Sequence, residues 1–225
     1  MPARGSINRL FNYARRHGFR AALGRLWISF RRLWTGNRMV IFFCDLRASV
    51  PLAFEAANNA TVERKNVESE VDANDMLQIT SIGNSTIARR RFSQRFAQGA
   101  SLWLFKVDGK LAGFGWTLVG RTVEPHFFPL GSDDAHLFDF YVVPQYRGQR
   151  INPRLVNHIL KSLSREMRPR AFIEAAEWNS PQLSSLKRTP FVALGLASKF
   201  RLFGKTLVLW SGDSAKLLPF SIPGK

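Results

Sequence analysis

Cysteine, long apolar runs and acidic residues near the N-terminus are scarce in this sequence. The first two scarcities exclude classes of protein, and the third indicates a kind of binding partner. Cysteine occurs once in 225 residues, at Cys44, so no intramolecular disulfide can form and a disulfide-stabilised secreted domain is excluded. A reducing compartment therefore fits the sequence best. The longest apolar runs, such as Met39–Cys44, hold about six residues. A bilayer-spanning helix needs about 20, so a transmembrane protein is excluded as well.

Acidic residues are absent from residues 1–38, which hold nine arginines and no lysine. This stretch supplies more than half of the net charge of +17, and such a balance favours an anionic partner, either nucleic acid or a membrane surface. Apolar residues recur three or four positions apart between Phe19 and Trp34, which predicts an amphipathic helix. Residues 7–35 are therefore a candidate for binding an anionic membrane surface. The same pattern also fits a helix packed on its own domain, or an organelle transit peptide.

The rest of the chain alternates predicted strands and helices. Asp108-Gly109 predicts a type I′ turn between two apolar strands, residues 48–100 are expected to be mostly helical with an N-cap at Ser85 or Thr86, and a helix is predicted from Ile151 to Met167. The expected strands are Met39–Cys44, Leu102–Val107, Lys110–Trp116, Leu137–Val143, Arg170–Glu177, 191–197 and 202–210. This order predicts one α/β (α+β) domain over residues 39–214 with a mixed sheet, preceded by the basic extension 1–38 and followed by a tail at 215–225.

The stretch Phe140–Ile151, FYVVPQYRGQRI, places a strand directly before a helix. Helix N-termini expose unpaired backbone N–H groups and a partial positive charge, which together bind phosphates. Gly148 permits a tight turn and a close approach of the backbone to an anion. Arg147 and Arg150 add positive charge at the same place. The sequence therefore predicts a phosphate or pyrophosphate site at this junction, although many ordinary strand–helix loops look similar.

This stretch resembles motif A of the GNAT N-acetyltransferase superfamily, in which V-x-P-x-Y-R-G-x-G precedes the helix that holds the pyrophosphate of coenzyme A. The hairpin around Asp108-Gly109 resembles the family's second and third strands, and Trp178–Leu186 followed by Phe191 resembles its strand-end Asn, short helix and next strand. The three matches occur in the family's order and cover residues 39–210. They imply a mostly antiparallel sheet splayed between its fourth and fifth strands, and acyl transfer from acyl-CoA, most simply acetyl-CoA, to an amine.

The resemblance also implies a set of binding residues for the co-substrate. Backbone N–H groups near Val142 and Val143 would polarise the thioester carbonyl. The implied cofactor-binding residues are Tyr141, Val142, Val143, Gln145, Arg147, Gly148, Gln149, Arg150, Ile151 and Asn179. Three positions depart from the family pattern. Arg150 stands where a small residue is usual, and Pro190 stands where the family has the glycine before Phe191. Leu186 stands where many members carry a tyrosine that protonates the leaving thiolate. Ser184, Ser185 or water would then supply that proton, or no donor is needed, because a coenzyme A thiolate is a tolerable leaving group at neutral pH.

An amine acceptor arrives protonated at neutral pH, so the reaction needs a base. The candidates are Asp139, His136, Glu174 and Glu177. Strict alternation along the strand would put Asp139 on the face of Leu137 and Tyr141, and His136 on the other face. Burial of Asp139 in this apolar strand would raise its pKa and make it a better base. Glu174 and Glu177 are three residues apart and face opposite sides, so only one of them can point at the site.

The acceptor site is expected beside the connection 121–134, where His126, Phe127 and Phe128 form a candidate wall and Asp133 and Asp134 could bind a cationic acceptor. His158 is expected to be structural. No metal site is predicted, because the four histidines and Cys44 show no ligand spacing.

Two function classes follow. The first is a cytoplasmic N-acyltransferase, peripheral to the inner face of a membrane, whose acceptor is an amino sugar or a lipid-linked amine of envelope or polysaccharide assembly. The same enzyme class could instead act on a protein amine, for which the charge of +17 would be a handicap with basic substrates. The second class is a GNAT-like protein that has lost catalysis and binds membrane or nucleic acid through its basic surface. Nucleic acid is the less favoured partner, because no RNA-binding signature is present.

Overall fold

The computed structural model describes residues 38–48, 59–123, 126–202 and 205–211. The predicted N-terminal helix and the tail at 215–225 lie outside these residues. The strands are β1 Arg38–Asp45, β2 Ala60–Lys65, β3 Ser101–Val107, β4 Lys110–Val119, β5 Ala135–Val142, β6 Arg170–Ala176, β7 Val192–Leu202 and β8 Lys205–Ser211. The helices are α1 Ala73–Thr80, α2 Ser85–Ala97, α3 Ile151–Arg165 and α4 Ser180–Leu186, with 3₁₀ turns at Glu68–Glu70 and Pro144–Tyr146.

The eight strands form one open sheet in the order β2-β3-β4-β5-β6-β1-β7-β8. Every neighbouring pair is antiparallel except β5 and β6, which run parallel. This parallel pair is joined over only three residues of each strand, Ala135–Leu137 against Ala171–Ile173. Beyond Leu137 the two strands separate. The mixed sheet with a split beside its parallel pair confirms the predicted fold class.

One strand of the sheet was not expected from the sequence. β2 falls within the stretch predicted to be mostly helical, and it pairs with β3 at the edge of the sheet. Its residues are half-buried or exposed and four of the six are polar, as is common for edge strands, so the apolar alternation that would signal a strand is weak. Helix α2 begins one residue earlier than predicted, because the N-cap is Asn84, whose side chain accepts a hydrogen bond from the Ile87 N–H at 3.1 Å.

Other local predictions are confirmed. Asp108 and Gly109 both have positive φ, at 50° and 73°, which is the conformation that a type I′ turn requires, and β3 and β4 pair on either side of them. Helix α3 spans most of the predicted range.

Two apolar layers enclose the sheet. Helix α3 packs on one face, where Leu155, Ile159 and Leu163 are fully buried against β1, β3, β5 and β6. Helices α1 and α2 cover the other face over β3 and β4, where Phe92 and Trp116 are buried. Among the described residues, none of the helices is long and apolar enough to cross a bilayer.

A bulge in β5 determines which side chains reach each layer. The pairing with β4 slips between Phe114 and Trp116, and Asp139, within the bulge, has a left-handed backbone with φ 50°. The extra residue breaks the period of two. Phe138 and Tyr141 consequently both pack in the layer under α1 and α2, whereas Phe140 and Val142 pack against the α3 layer. The predicted strict alternation is therefore wrong beyond Phe138.

Candidate active site

The first feature of the site is a groove at the N-terminus of α3, which we call the helix-terminus groove. It has a volume of about 480 Å³ and lies between the end of β5, the start of α3 and helix α4. Its lining residues are Phe140, Tyr141, Val142, Tyr146, Arg147, Gly148, Arg150, Ile151, Asn152, Pro153, Asn179, Pro181, Gln182, Ser184, Ser185 and Arg188. Three of these side chains are arginines, and none of these described residues is acidic. The charge of the groove therefore favours an anion.

The backbone at the head of α3 suits a phosphate group. The first backbone hydrogen bond of the helix is donated by the Arg154 N–H to the Arg150 carbonyl at 3.2 Å, so the N–H groups of Ile151 and Asn152 have no partner within the helix. Gly148 has φ +83°, and a Cβ built on it would meet no atom within 4 Å. The loop therefore leaves open space in front of free N–H groups. These features fit the pyrophosphate of coenzyme A, with Arg147, Arg150 and Arg188 as its charged neighbours.

Most, but not all, of the predicted coenzyme A residues line this groove. Gln145 and Gln149 are exposed and are not among the lining residues. Val143 is buried and donates its backbone N–H to the Ala112 carbonyl in β4 at 2.9 Å, so this N–H is not free, contrary to the prediction. Successive N–H groups of a strand point to opposite sides. The Val142 N–H therefore points away from β4, toward the gap beside β6.

Helix α4 is fixed to the groove by polar contacts. The Asn179 side chain caps α4 by accepting a hydrogen bond from the Gln182 N–H at 3.3 Å. The Asn152 side chain donates to the Ser185 hydroxyl at 2.9 Å and so links α3 to α4. Ser184 is exposed on the groove wall. Leu186 is completely buried in the α3 layer, so this position contributes to the core and not to the groove.

The second feature is a cavity of about 310 Å³, which we call the histidine cavity. It lies on the α2 side of the sheet at the point where β5 and β6 separate. Its lining residues are Arg91, Gln94, Arg95, Val123, His126, His136, Phe138, Asp139, Glu174 and Lys199. Three of the four candidate bases, His136, Asp139 and Glu174, meet here, whereas the candidate proton donor Ser184 lies on the groove. His126 belongs to the predicted acceptor wall.

His136 and Glu174 form a buried pair in this cavity. His136 Nε2 lies 2.7 Å from Glu174 Oε2, and only 4% of His136 is exposed. Burial acts to raise the pKa of Glu174, but the adjacent His136, helped by His126 and Lys199, outweighs it and lowers this pKa. Glu174 is therefore ionised at neutral pH and accepts the Nε2 proton of His136. Nδ1 of His136 is buried and has no hydrogen-bond partner among the described residues.

His126 lies beside this pair, and the centre of its ring is 5.0 Å from the centre of the His136 ring. Burial lowers the pKa of His126 to about 4, with Glu174 opposing the shift and His136 and Lys199 adding to it. The ring is therefore neutral at neutral pH. Its Nε2 is also buried and has no partner within the described ranges. A buried polar atom of this kind commonly contacts a water or a ligand.

Asp139 differs from its prediction. Its side chain is 56% exposed and forms an ion pair with Arg95 of α2. The Arg95 guanidinium itself is largely covered, lying over the rings of Trp116 and Phe138 at 5.1 and 5.7 Å. The left-handed bulge turns Asp139 toward α2, so it becomes a surface ion-pair partner at the edge of the cavity and not a buried base.

A third, smaller cavity of about 250 Å³ shares lining residues with both sites. It shares Phe140 and Tyr141 with the helix-terminus groove, and Arg91, Arg95 and Asp139 with the histidine cavity. Its remaining lining residues are mainly apolar: Ile79, Ile82, Ala88, Phe92 and Phe114. A co-substrate in the groove and an acceptor in the cavity would consequently meet around the β5 bulge.

Several acidic and histidine residues are committed to structural roles. Asp134 is buried and receives two hydrogen bonds from Arg170, at 2.6 and 2.7 Å, and Asp133 pairs with Arg168 at 3.2 Å. Neither residue lines the histidine cavity, and their role in binding a cationic acceptor stays a prediction. Glu177 pairs with Arg38. His158 lies on α3 against the Trp103 ring, away from both cavities.

The fold brings together three side chains that could ligate a metal ion. One ligand atom from each of His126, His136 and Glu174 lies within 4.8 Å of the other two, although the histidine spacing in the sequence gave no sign of it. The hydrogen-bond distance between His136 and Glu174 is typical of an acid–base pair. Three cationic side chains, Arg91, Arg95 and Lys199, also line the cavity and would repel a divalent cation. The arrangement therefore fits proton transfer better than metal binding.

Comparison with known proteins assigns the family. A family model described as the acetyltransferase (GNAT) family matches residues 74–187, which is half of the chain. The chain belongs to the GNAT acetyltransferase family. No curated protein sequence matches it.

Solved structures agree on the fold. The tandem GNAT protein from the clavulanic acid biosynthesis pathway superposes with a TM-score of 0.55 at 15% identity, covering 79% of this chain and 55% of that chain. A GNAT-family acetyltransferase from Colwellia psychrerythraea superposes with a TM-score of 0.51 at 11% identity, covering 70% of this chain and 53% of that chain. The chain thus spans little more than half the length of either protein.

Proposed function

We propose that this protein is an N-acyltransferase that moves an acyl group, most simply acetyl, from acyl-CoA to a primary amine. The observation that carries the proposal is the His136–Glu174 pair, which lies in a cavity at the sheet split. A groove rich in arginine lies at the head of α3, on the other side of the β5 bulge. The groove holds the pyrophosphate of coenzyme A, and the histidine cavity receives the amine. Bound acyl-CoA supplies a thioester that an unprotonated amine attacks, and the thiol of coenzyme A is the product.

His136 acts as the general base in this proposal. The Glu174 carboxylate holds the Nε2 proton and stabilises the imidazolium that forms when Nδ1 takes up a proton from the acceptor through one water. The Val142 N–H points into the gap between β5 and β6, where it donates a hydrogen bond to the acyl oxygen. Because Leu186 is buried, no side chain of α4 at that position protonates the thiolate. Ser184 on the groove wall, or solvent, supplies this proton.

Binding of the co-substrate is tested by isothermal titration with acetyl-CoA and with desulfo-CoA. Gly148→Glu places a carboxylate in front of the α3 N-terminus, and we expect it to lower the affinity at least tenfold through charge repulsion. Gly83→Glu is the matched control: Gly83 also has a positive φ, +79°, and open space at its Cβ position, but it lies outside both sites. Failure of the wild-type protein to bind either compound would contradict the enzyme proposal and favour the catalytically impaired, binding-only alternative.

Catalysis is tested by release of free thiol from acetyl-CoA in the presence of amines. His136→Gln should lower kcat/KM at neutral pH by about 10²–10⁴-fold, with partial recovery at higher pH, where more amine is unprotonated. The affinity for coenzyme A should not change. His158→Gln, which makes the same exchange outside both cavities, should retain activity. An unchanged rate in His136→Gln would remove this residue from the mechanism.

The proposal extends to location and acceptor. Residues 7–35 attach the enzyme to the cytoplasmic face of an anionic membrane, where an amino sugar or a lipid-linked amine is the acceptor. The support is the sequence alone: arginines without acidic residues, on an apolar 3–4 repeat. Sedimentation with vesicles of neutral lipid, and of the same lipid plus an anionic one, tests it. Substitution of Arg16, Arg20 and Arg31 by Gln should abolish a preference for anionic vesicles, and equal binding to both vesicle types would contradict the proposal.

A further inference from the structure

The charges that line the histidine cavity indicate which amines it accepts. Among the described residues its lining carries three cationic side chains, Arg91, Arg95 and Lys199, and two carboxylates, Asp139 and Glu174. Both carboxylates already have partners. Asp139 is paired with Arg95, and Glu174 is bonded to His136. No carboxylate of the described lining therefore remains for a second positive charge on the acceptor.

Arg91 is the cation of this cavity that the described residues leave without a partner. It lies on α2 one turn before Arg95, so both guanidinium groups occupy the same face of the helix. Arg95 is neutralised by Asp139, whereas the Arg91 side chain makes no hydrogen bond or ion pair with any other described residue. An anion bound in the cavity would give Arg91 the kind of partner that Arg95 has in Asp139.

Arg91 also lines a second cavity besides the histidine cavity. It lines the histidine cavity and the smaller cavity that reaches Phe140 and Tyr141 of the groove. Lys199 lines the histidine cavity from β7, with its ammonium 4.1 Å from the centre of the Phe127 ring. A molecule whose amine lies near His136 can therefore extend an anionic substituent to Arg91 within the histidine cavity.

We infer that the acceptor is an amine that carries an anionic group, a carboxylate or a phosphate, which Arg91 binds. This inference rests on the proposed acyltransferase function and names its substrate class. Arg91 selects the anionic group through a charge-assisted hydrogen bond. Amines with two or more positive charges and no anion are disfavoured, because no free carboxylate of the described lining receives the second charge.

The test uses the full-length protein saturated with coenzyme A, so that phosphate groups cannot bind in the groove. Two matched pairs are titrated by calorimetry: glucosamine with glucosamine 6-phosphate, and an α-amino acid with its amide. We expect the member that carries the anionic group, in at least one pair, to bind at least tenfold more tightly than the member without it. The pair that shows the preference identifies phosphate or carboxylate as the anionic group.

Variants of α2 assign the effect to Arg91. Arg91→Gln should reduce the preference for the anionic member to less than threefold. Arg90→Gln removes the same charge from the preceding residue, which is exposed like Arg91 but lines neither cavity, and should keep the preference. Equal binding of both members of both pairs to the wild-type protein, no binding of any of the four compounds, or a preference that persists in Arg91→Gln would overturn the inference.

Turnover measurements separate this inference from the proposed function. Acetyl transfer from acetyl-CoA to neutral or polycationic amines, with no advantage for anionic ones, would leave the acyltransferase in place and refute the substrate class. Absence of acetyl-CoA binding would refute the acyltransferase itself. A measured preference should also weaken as salt is raised, because it depends on charge.

Discussion

A histidine that stays neutral in the fold affects both the stability and the chemistry of this protein. His126 is surrounded by the rings of Phe127, Phe128, His136 and Phe172, and burial lowers its pKa to about 4. In the unfolded chain the same side chain has a pKa near 6.5. Between these two values the unfolded state therefore binds more protons than the folded state, so stability rises with pH across this window.

His126→Phe keeps an aromatic ring but removes the titration. The wild-type free energy of unfolding should fall by about 2 kcal/mol more between pH 7 and pH 5 than that of the variant. His158, whose pKa is also lowered by burial, makes the free energy of unfolding rise with pH in both proteins. Its contribution therefore cancels in the comparison. Urea unfolding at the two pH values measures the difference. Parallel pH dependences would show that His126 is not held neutral.

Cys44 provides a second prediction at the scale of one residue. Burial, with a smaller contribution from Asp45, raises the pKa of its thiol to about 12, so almost none is thiolate at pH 8. The native protein should not react with an aromatic disulfide reagent, and one thiol per chain should react after unfolding in guanidinium. Rapid reaction of the native protein would mean that β1 opens readily. An unreactive Cys44 also permits the thiol-release assay without correction.

At the scale of the elements, two residues with left-handed backbones determine where the site lies. Asp139 creates the β5 bulge, which puts Phe138 and Asp139 on the side of the histidine cavity and returns Phe140 to the α3 layer. Arg150, with φ 57°, forms the N-cap of α3 without a side-chain cap. Both residues adopt a conformation that costs about 1–2 kcal/mol for side chains that do not favour it.

Arg150→Gly separates the backbone cost from the charge of this residue. Glycine adopts a positive φ without strain, so the free energy of unfolding should rise by about 0.5–1 kcal/mol, while coenzyme A affinity should fall several-fold because a cation leaves the groove. Arg150→Ala loses the same charge but keeps the strain, so it should lose affinity without gaining stability. Equal stabilities of the two variants, measured by denaturant unfolding, would refute the strain argument.

At the scale of the molecule, the sheet consists of two blocks of four strands joined by a short parallel contact. Strands β2 to β5 form one block and β6, β1, β7 and β8 the other, and three residues of β5 meet three of β6. The groove lies where the blocks separate. A ligand bound there contacts both the end of β5 and helix α4, which follows β6.

Coenzyme A binding should therefore slow amide hydrogen exchange close to the split. We expect added protection over residues 140–152 and 179–186 and no change in β7 and β8, because a ligand protects the backbone that it contacts. Hydrogen exchange with and without coenzyme A, followed by mass spectrometry, measures this. Protection confined to other strands would place the ligand outside the helix-terminus groove.

Local sequence signals were sufficient for most elements and for the groove. Asp108-Gly109 specifies its turn, the four-residue repeat of α3 specifies a buried helix face, and Gly148 with its neighbouring arginines marks the loop at the head of α3. Each signal involves residues that are close together along the chain. The sequence also named His136 and Glu174 as candidates. It could not pair them, since they are 38 positions apart and meet only through the β5–β6 contact.

Turn chemistry and periodicity act over a few residues, so they predicted most of the elements and the loop at the head of α3. The motif around that loop carried the resemblance to the family. The tertiary structure decided the rest: that β2 is an edge strand, that Asp133 and Asp134 are held by arginines, and that Asp139 leaves the core. The physical reason is that strand pairing and side-chain direction depend on distant residues. A single extra residue in β5 reverses every side chain beyond it, and with this reversal the histidine cavity takes its shape.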